Sequence, residues 1–198
     1  GAGQAGREAV DLSGTTPDGD PVAVGVAGAD HDSLLVFLSS GCSSCRPLWE
    51  ALADPTSLAR LPEGLRPVAV ARGPEAESPA RVADLAPPLV PVVMSSQAWE
   101  DYRAPGSPYF VQVDGPSGRV VGEGVAGRWD HVVSLLDRAR ADRVGADRAR
   151  AGAGSGLRWR ADVHREARAD ADLRAAGILP GDPSLHQQGA PPLTGGGR

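Results

Sequence analysis

A short apolar run that leads into the only two cysteines of the chain most constrains how this sequence can fold. Residues 34–38 read Leu-Leu-Val-Phe-Leu, which is the length and composition of a buried strand. Two serines and a glycine end this strand, and Cys42 and Cys45 follow. Leu48 and Trp49 come next, at roughly helical spacing. The sequence therefore predicts that both cysteines lie where a core strand turns into a helix.

A thiol at such a turn has an unusual electrostatic environment. The first N–H groups of a helix lack backbone partners and form the positive end of the helix dipole, so they favour thiolate over thiol. Burial one turn further along raises the pKa of a thiol. We therefore expect the pKa of Cys42 to lie below the ordinary value of about 8.5, and that of Cys45 above it. Two thiols three positions apart can also close a small disulfide and reopen it, which is the geometry of dithiol–disulfide exchange.

Strand and helix patterns interleave through residues 11–144 and define one domain. Turn residues between two short apolar pieces predict an N-terminal hairpin over residues 11–26. Further strands are predicted at residues 67–71 and 90–94, a closing hairpin over residues 109–125, and helices at residues 77–85, 97–103 and 130–143. The predicted class is α/β, with a central mixed sheet flanked by helices on both faces.

Composition places both ends of the chain outside this domain. Residues 1–10 read as a flexible lead. The extra C-terminal tail, residues 145–198, begins with a linker of mostly Gly, Ala, Arg, Asp and Ser. A helix is predicted over residues 157–176, and the Pro- and Gly-rich end after it is predicted to be disordered.

Charge and residue spacing argue against several classes of function. The net charge of −5 argues against a general nucleic-acid-binding surface, so no nucleic-acid partner is expected. No apolar run reaches the roughly 18 residues that a membrane span needs, and no signal peptide is visible. The four histidines are scattered, whereas a zinc site on the two cysteines needs two further N or S ligands. We expect no metal.

Three segments together resemble the thioredoxin superfamily. They are Phe-Leu-Ser-Ser-Gly-Cys-Ser-Ser-Cys-Arg-Pro-Leu at 37–48, Gly-Ser-Pro-Tyr-Phe-Val-Gln-Val-Asp at 106–114, and Gly-Arg-Val-Val-Gly-Glu-Gly at 118–124. Within that superfamily the chain is most similar to membrane-tethered thioredoxin-like proteins of bacteria, such as the accessory protein for methylamine dehydrogenase maturation. The similarity covers residues 11–143, and the tail has no counterpart that we recognise.

The resemblance implies a thioredoxin-like fold and a thiol–disulfide oxidoreductase. Cys42 would be the attacking thiolate and Cys45 the resolving thiol, with no cofactor beyond the redox-active disulfide that they form. Pro108 would be the superfamily's cis-proline, lying against this pair. The rim that contacts substrate would comprise Gly41, Ser43, Ser44 and Ser107.

Three positions depart from the superfamily's pattern. Thioredoxin has a buried Asp six residues before its first cysteine, where this chain has Val36. Many tethered relatives have a Glu three residues after the second cysteine, where this chain has Leu48. Gly41 replaces the Trp that commonly precedes the first cysteine. Both usual positions of the buried proton acceptor are therefore expected to be apolar, and deprotonation of Cys45 must rely on water or on a group elsewhere.

Two hypotheses about function follow. In the first, the protein exchanges disulfides with cysteine-containing substrate proteins and with a membrane-bound or soluble redox partner; whether it reduces, oxidises or isomerises stays open. One pair of cysteines and no others fits an extracytoplasmic enzyme, anchored through a segment N-terminal to this sequence, with a cytoplasmic location as the alternative. In the second, a structural disulfide braces a non-enzymatic thioredoxin-like scaffold that serves as an interaction or maturation module.

Overall fold

The computed structural model describes residues 6–145 and residue 148. The strands are β1 (Leu12–Thr15), β2 (Pro21–Val24), β3 (Asp32–Phe37), β4 (Leu65–Ala71), β5 (Val92–Met94), β6 (Tyr109–Asp114) and β7 (Arg119–Gly124). The helices are α1 (Arg46–Ala53), α2 (Pro55–Leu58), α3 (Pro79–Ala83), α4 (Ser96–Asp101) and α5 (residues 129–145).

The strands form one mixed sheet in the order β2-β1-β5-β4-β3-β6-β7. Strands β3, β4 and β5 are parallel, and the other neighbouring pairs are antiparallel. The sequence prediction of an α/β domain with a mixed sheet, an N-terminal hairpin and a closing hairpin is confirmed. Helix α2 was not predicted, although Pro55 begins it and the Asp54 carboxylate caps it by accepting from the N–H groups of Thr56 and Ser57.

Strand β3 lies inside the sheet and is covered by helices on both faces. Leu34 and Val36 pack in the core layer that contains α1 and α5, whereas Leu35 and Phe37 pack in the opposite layer with α4. This alternation follows from the two-residue repeat of a strand, and it explains why the whole run is apolar. The carboxyl end of β3 therefore emerges between two filled layers, with the first residue of β6, Tyr109, paired opposite Phe37.

Part of the predicted flexible lead is instead bonded to the outer edge of β7. Glu8 forms a β-bridge with Arg119, and the Arg7 guanidinium donates to the Glu123 carboxylate at 2.9 Å. The prediction of a flexible lead is wrong for residues 6–10, because an open strand edge offers backbone N–H and C=O groups that a neighbouring segment can pair with. Composition alone does not reveal such long-range pairing.

The chain divides into two compact units, residues 1–143 and residues 144–198. In the second unit the structure describes residues 144, 145 and 148, which are helical, so the predicted linker is wrong at residues 145 and 148. The remaining linker, the helix predicted over residues 157–176 and the end of the chain lie outside the described residues. Residues 1–5 of the lead do so as well.

The turn between β6 and β7 provides a test of how tightly the segment before β3 is packed. A Cβ atom on Gly115 would lie 2.0 Å from the backbone carbonyl oxygen of His31, so one of the two segments must move. We expect Gly115→Ala to lower the free energy of unfolding by about 2–3 kcal/mol in a denaturant titration. Gly127→Ala is the matched control, because a Cβ atom there meets nothing within 4 Å. Equal stability of the two variants would contradict this packing.

Candidate active site

Cys42 and Cys45 lie directly after β3, at the start of the helical segment that follows it. Both are free thiols. Cys42 precedes a 3₁₀ turn, Ser43–Cys45, and the N–H of Cys45 donates to the carbonyl of Cys42 at 3.1 Å. Helix α1 continues without a break, and Pro47 occupies its first turn, where the missing N–H removes no helix hydrogen bond. The predicted strand-to-helix position of the cysteines is thus observed, with one 3₁₀ turn before the α-helix.

The two thiols differ in their exposure. Cys42 is half-buried, whereas Cys45 has 0% of its surface exposed and belongs to the core layer that also contains Val36 and Leu48. Val36 and Leu48 are therefore apolar and buried, as the sequence predicted. In this layer Cys45 packs as a small apolar side chain.

This difference in environment moves the two pKa values in opposite directions. A hydrogen bond from the Cys45 thiol lowers the pKa of Cys42, and hydrogen bonds from Ser107 and from the backbone of the turn add to the effect. Burial raises the pKa of Cys45 to about 11. The directions agree with the sequence prediction. The largest cause at Cys42 is its partner thiol, however, and not the helix start.

The segment before β6 lies beside the cysteines, because β6 begins opposite the last residue of β3. The peptide bond between Ser107 and Pro108 is cis, as the resemblance implies, and Pro108 is buried. The Ser107 carbonyl accepts a hydrogen bond from Cys42 Sγ at 3.7 Å. Ser107 is therefore the predicted rim residue that contacts a cysteine directly. The other three, Gly41, Ser43 and Ser44, are exposed in the turn on either side of Cys42.

The carboxylate of Glu77, which lies outside the cysteine segment, fixes the loop that precedes Cys42. Glu77 lies between β4 and α3 and accepts hydrogen bonds from the Ser39 hydroxyl, at 3.1 Å, and from the Ser40 N–H. Sequence reasoning missed this residue because it treated Glu77 as the first residue of a helix. The only available signal was an acidic residue in the loop that follows a strand parallel to β3, which is weak.

Ser39 links this carboxylate to the buried thiol. Its backbone hydrogen-bonds the Cys45 sulfur and so lowers the pKa of that thiol, opposing the larger effect of burial. Its carbonyl accepts from Trp49 Nε1 at 3.4 Å. The residue is thus fixed through its hydroxyl by Glu77, through its carbonyl by Trp49 and through its N–H by Cys45.

A cleft of about 400 Å³ opens beside the cysteine turn. We call it the side cleft; Ser40 and Gly41 lie on one side of it, Ser107 on another, and Arg72 and Trp99 also line it. A larger cavity of about 550 Å³ lies beside Trp129, but neither Gly41 nor Ser107, the residues that bring the side cleft next to Cys42, lines it.

Metal binding and membrane insertion find no support in the described part of the chain. Residues 6–145 and 148 contain no group of three His, Cys, Asp or Glu side chains placed to hold a metal ion. None of the helices among these residues is long and apolar enough to cross a bilayer.

Solved structures of bacterial proteins share this architecture. The thioredoxin domain of a thiol-disulfide oxidoreductase from Bacteroides vulgatus superposes with a TM-score of 0.50 at 21% identity, covering 67% of this chain and 97% of that one. A thiol:disulfide interchange protein of the thioredoxin family from Chlorobium tepidum gives a TM-score of 0.50 at 20% identity, covering 70% and 99%. The chain has the thioredoxin-like fold.

The same thioredoxin-like domain also superposes on a conserved protein of unknown function from Bacteroides fragilis, with a TM-score of 0.51 at 22% identity, covering 67% of this chain and 98% of that one. No protein-family model and no curated protein sequence matches the chain. At these identities the similarity establishes the fold, and the chemistry of the thioredoxin-like domain must be argued from its own residues.

The opposite pKa directions predict how the reduced protein reacts with iodoacetamide. A thiol reacts as its thiolate, so each alkylation rate rises as the pH rises through that thiol's pKa. We expect Cys42, whose pKa is lowered by its hydrogen bonds, to reach its half-maximal rate at a lower pH than an ordinary thiol, and Cys45 only near its raised pKa of about 11. Peptide mapping after partial labelling measures both rates. Labelling of Cys45 before Cys42 would contradict the assignment.

A pair of variants tests whether the Cys45 thiol is the main cause of the lowered pKa of Cys42. Cys45→Ala removes the hydrogen-bond donor, so the pKa of Cys42 should rise. Cys45→Ser is the matched control, because its hydroxyl can still donate to the Cys42 sulfur. The pH dependence of alkylation at Cys42 gives the pKa in both. An identical profile in the two variants would assign the shift to the backbone of the turn instead.

Substitution of Glu77 tests whether its hydrogen bonds fix the position of Ser39. Glu77→Ala removes the acceptor of three hydrogen bonds, and we expect it to lower the free energy of unfolding by about 1–3 kcal/mol. The pKa of Cys45 should rise further, because the Ser39 N–H is no longer fixed toward its sulfur. Glu77→Gln keeps one acceptor oxygen, so its free energy of unfolding should fall by less than that of Glu77→Ala. An unchanged alkylation profile of Cys45 in Glu77→Ala would exclude a positioning role.

Proposed function

We propose that this protein is a thiol–disulfide oxidoreductase that exchanges disulfides with partner proteins through Cys42 and Cys45. One observation carries the proposal: a half-buried thiol of lowered pKa lies beside a fully buried thiol of raised pKa, at the end of β3 and in contact with Ser107. The accessible thiol is thus the better nucleophile near neutral pH, and the buried thiol keeps its proton until it is needed.

The exchange takes place in two steps. The Cys42 thiolate attacks one sulfur of a partner disulfide, so that a bond forms between those two sulfurs, the partner's S–S bond breaks and its other sulfur leaves as a thiolate. Cys45 then loses its proton to solvent and attacks the Cys42 sulfur, forming the Cys42–Cys45 disulfide and releasing the second partner thiolate. Two electrons pass from the dithiol to the partner. The reverse sequence oxidises a partner dithiol.

The surrounding residues have distinct roles in this mechanism. Ser107 contacts Cys42 and limits the direction from which a partner sulfur can approach, with Pro108 fixing the backbone behind it. The exposed Gly41, Ser43 and Ser44 form the rest of the surface that a partner contacts. No cofactor is needed, because the electrons reside in the two sulfurs.

The partners and location belong to the same proposal. Substrates are cysteine-containing proteins. A membrane-bound or soluble redox partner returns Cys42 and Cys45 to their starting redox state after each exchange. The structural similarity to a thiol:disulfide interchange protein from Chlorobium tepidum supports this class of partner. A chain with one cysteine pair and no other cysteine suits an extracytoplasmic protein.

Trapping experiments test the division of roles between the thiols. Cys45→Ser should accumulate partner proteins as mixed disulfides, because the attacking thiol is intact and the resolving thiol is absent. Cys42→Ser is the matched control and should trap few or none, since Cys45 is buried and keeps its proton. Diagonal gels, run non-reducing and then reducing, measure the trapped fraction. Equal trapping, or none with either variant, would favour the scaffold with a structural disulfide.

A further inference from the structure

The side cleft adjoins the reactive thiol and is built from four separate parts of the chain. Gly41 comes from the turn immediately before Cys42, and Ser107, whose carbonyl contacts Cys42 Sγ, lies on another wall. Arg72 follows β4, and Arg81 comes from α3. A partner segment bonded to Cys42 would therefore have its neighbouring residues beside this cleft.

The cleft carries an excess of positive charge in a chain whose net charge is −5. Arg72 and Arg81 both line it and are exposed. Within the described residues, neither forms a salt bridge. The one carboxylate of the lining, Glu77, is directed at donors of its own chain, Ser39, Ser40 and the Arg72 N–H.

The side chain of Arg72 is held in place before any partner arrives. Its guanidinium carbon lies 4.4 Å from the centre of the Trp99 ring, and Trp99 is only 3% exposed. Stacking on an aromatic face leaves the N–H groups at the edge of the guanidinium directed outward. An arginine fixed in this way loses less conformational entropy when it binds a carboxylate, and its planar fork matches the two carboxylate oxygens.

We propose that the side cleft binds an acidic side chain, Asp or Glu, located near the target cysteine in the partner protein. An extended segment advances about 3.3 Å per residue and alternates its side chains, so the acidic residue would stand two positions from the cysteine on the same face. This proposal rests on the proposed function. It adds a substrate class, proteins whose exchanging cysteine has an acidic neighbour, and it assigns Arg72 and Arg81 as specificity-determining residues.

Three model peptides test the proposal with the full chain. Each has one cysteine, activated as a mixed disulfide with 2-thiopyridine, and differs only by Glu, Gln or Lys two positions from that cysteine. Attack by Cys42 forms the protein–peptide disulfide and releases thiopyridine, whose absorbance gives the rate. At low salt we expect the Glu peptide to react about 3–5-fold faster than the Gln peptide and the Lys peptide to react slowest, in line with exposed ion pairs. Added salt should shrink these ratios.

Variants assign the selectivity to the cleft. Arg81→Gln and Arg72→Gln should each reduce the ratio of Glu to Gln rates, and the double variant should bring it to about one. Arg66→Gln is the matched control, because it removes the same charge from the opposite end of β4 and should keep the wild-type ratio. A change in the pKa of Cys42 alters the rates of all three peptides equally and cancels in the ratio.

The outcomes separate this inference from the proposed function. Equal rates for the three peptides with the wild-type protein, or an unchanged ratio in the double variant, would overturn the acidic preference while leaving thiol exchange intact. Failure of Cys42 to react with any of the three would overturn the proposed function instead. If loss of the Trp99 contact unfolds Arg72→Gln, the exposed Arg81→Gln variant still decides the question.

Discussion

The complete burial of Cys45 at the end of β3 is the constraint on which the site depends. Val36 and Leu48 share its core layer, so the thiol lies in apolar surroundings that disfavour a charge on its sulfur. A thiol that keeps its proton is also a donor, and it donates to the Cys42 sulfur. Its hydrogen bond is the largest cause of the lowered pKa there. One buried side chain thus sets the acidity of both thiols, in opposite directions.

Among the described residues no carboxylate is buried beside Cys45, which changes how the resolving thiol can lose its proton. A carboxylate at position 36 or 48 would have to leave water for an apolar layer, which is costly without hydrogen-bond donors. Glu77 instead lies where the Ser39 hydroxyl and the Ser40 N–H supply such donors. It reaches Cys45 only indirectly, through the Ser39 backbone. In the proposed mechanism the proton of Cys45 therefore leaves toward the half-buried side, where solvent meets Cys42.

The features that were predicted correctly from the residues are encoded by local sequence patterns. The apolar run of β3, the breaking residues after it and the helical spacing of Leu48 and Trp49 all lie within twenty residues, so their pattern places the cysteines correctly. The prediction of the cis bond before Pro108 came from the resemblance to the thioredoxin superfamily and not from a physical argument about the residues. The pairing of residues 6–10 with β7 depends on which strand edge is left open, which no local pattern encodes.

Glu77 and the side cleft belong to the same class of long-range features. Glu77 meets Ser39 across 38 residues, and its partners are a hydroxyl and a backbone N–H that carry no distinctive sequence signal. Arg72, directly after β4, gains its fixed position from Trp99 on α4. The first contact requires β3 and β4 to end at the same edge of the sheet, and the second requires β4 and β5 to do so. Both therefore become visible only when the strand order is known.

The charge of the side cleft matters because electrostatic forces at this surface act only over short distances. At physiological ionic strength the screening length is about 8 Å, so the overall charge of −5 has little effect on a partner segment already bonded to Cys42. Within that distance the two arginines of the cleft dominate, since the carboxylate of Glu77 is occupied by its own chain. The net negative charge of the chain offers an acidic partner no attraction during its approach. The arginines therefore select among partners after encounter, and the protein as a whole does not attract them by charge.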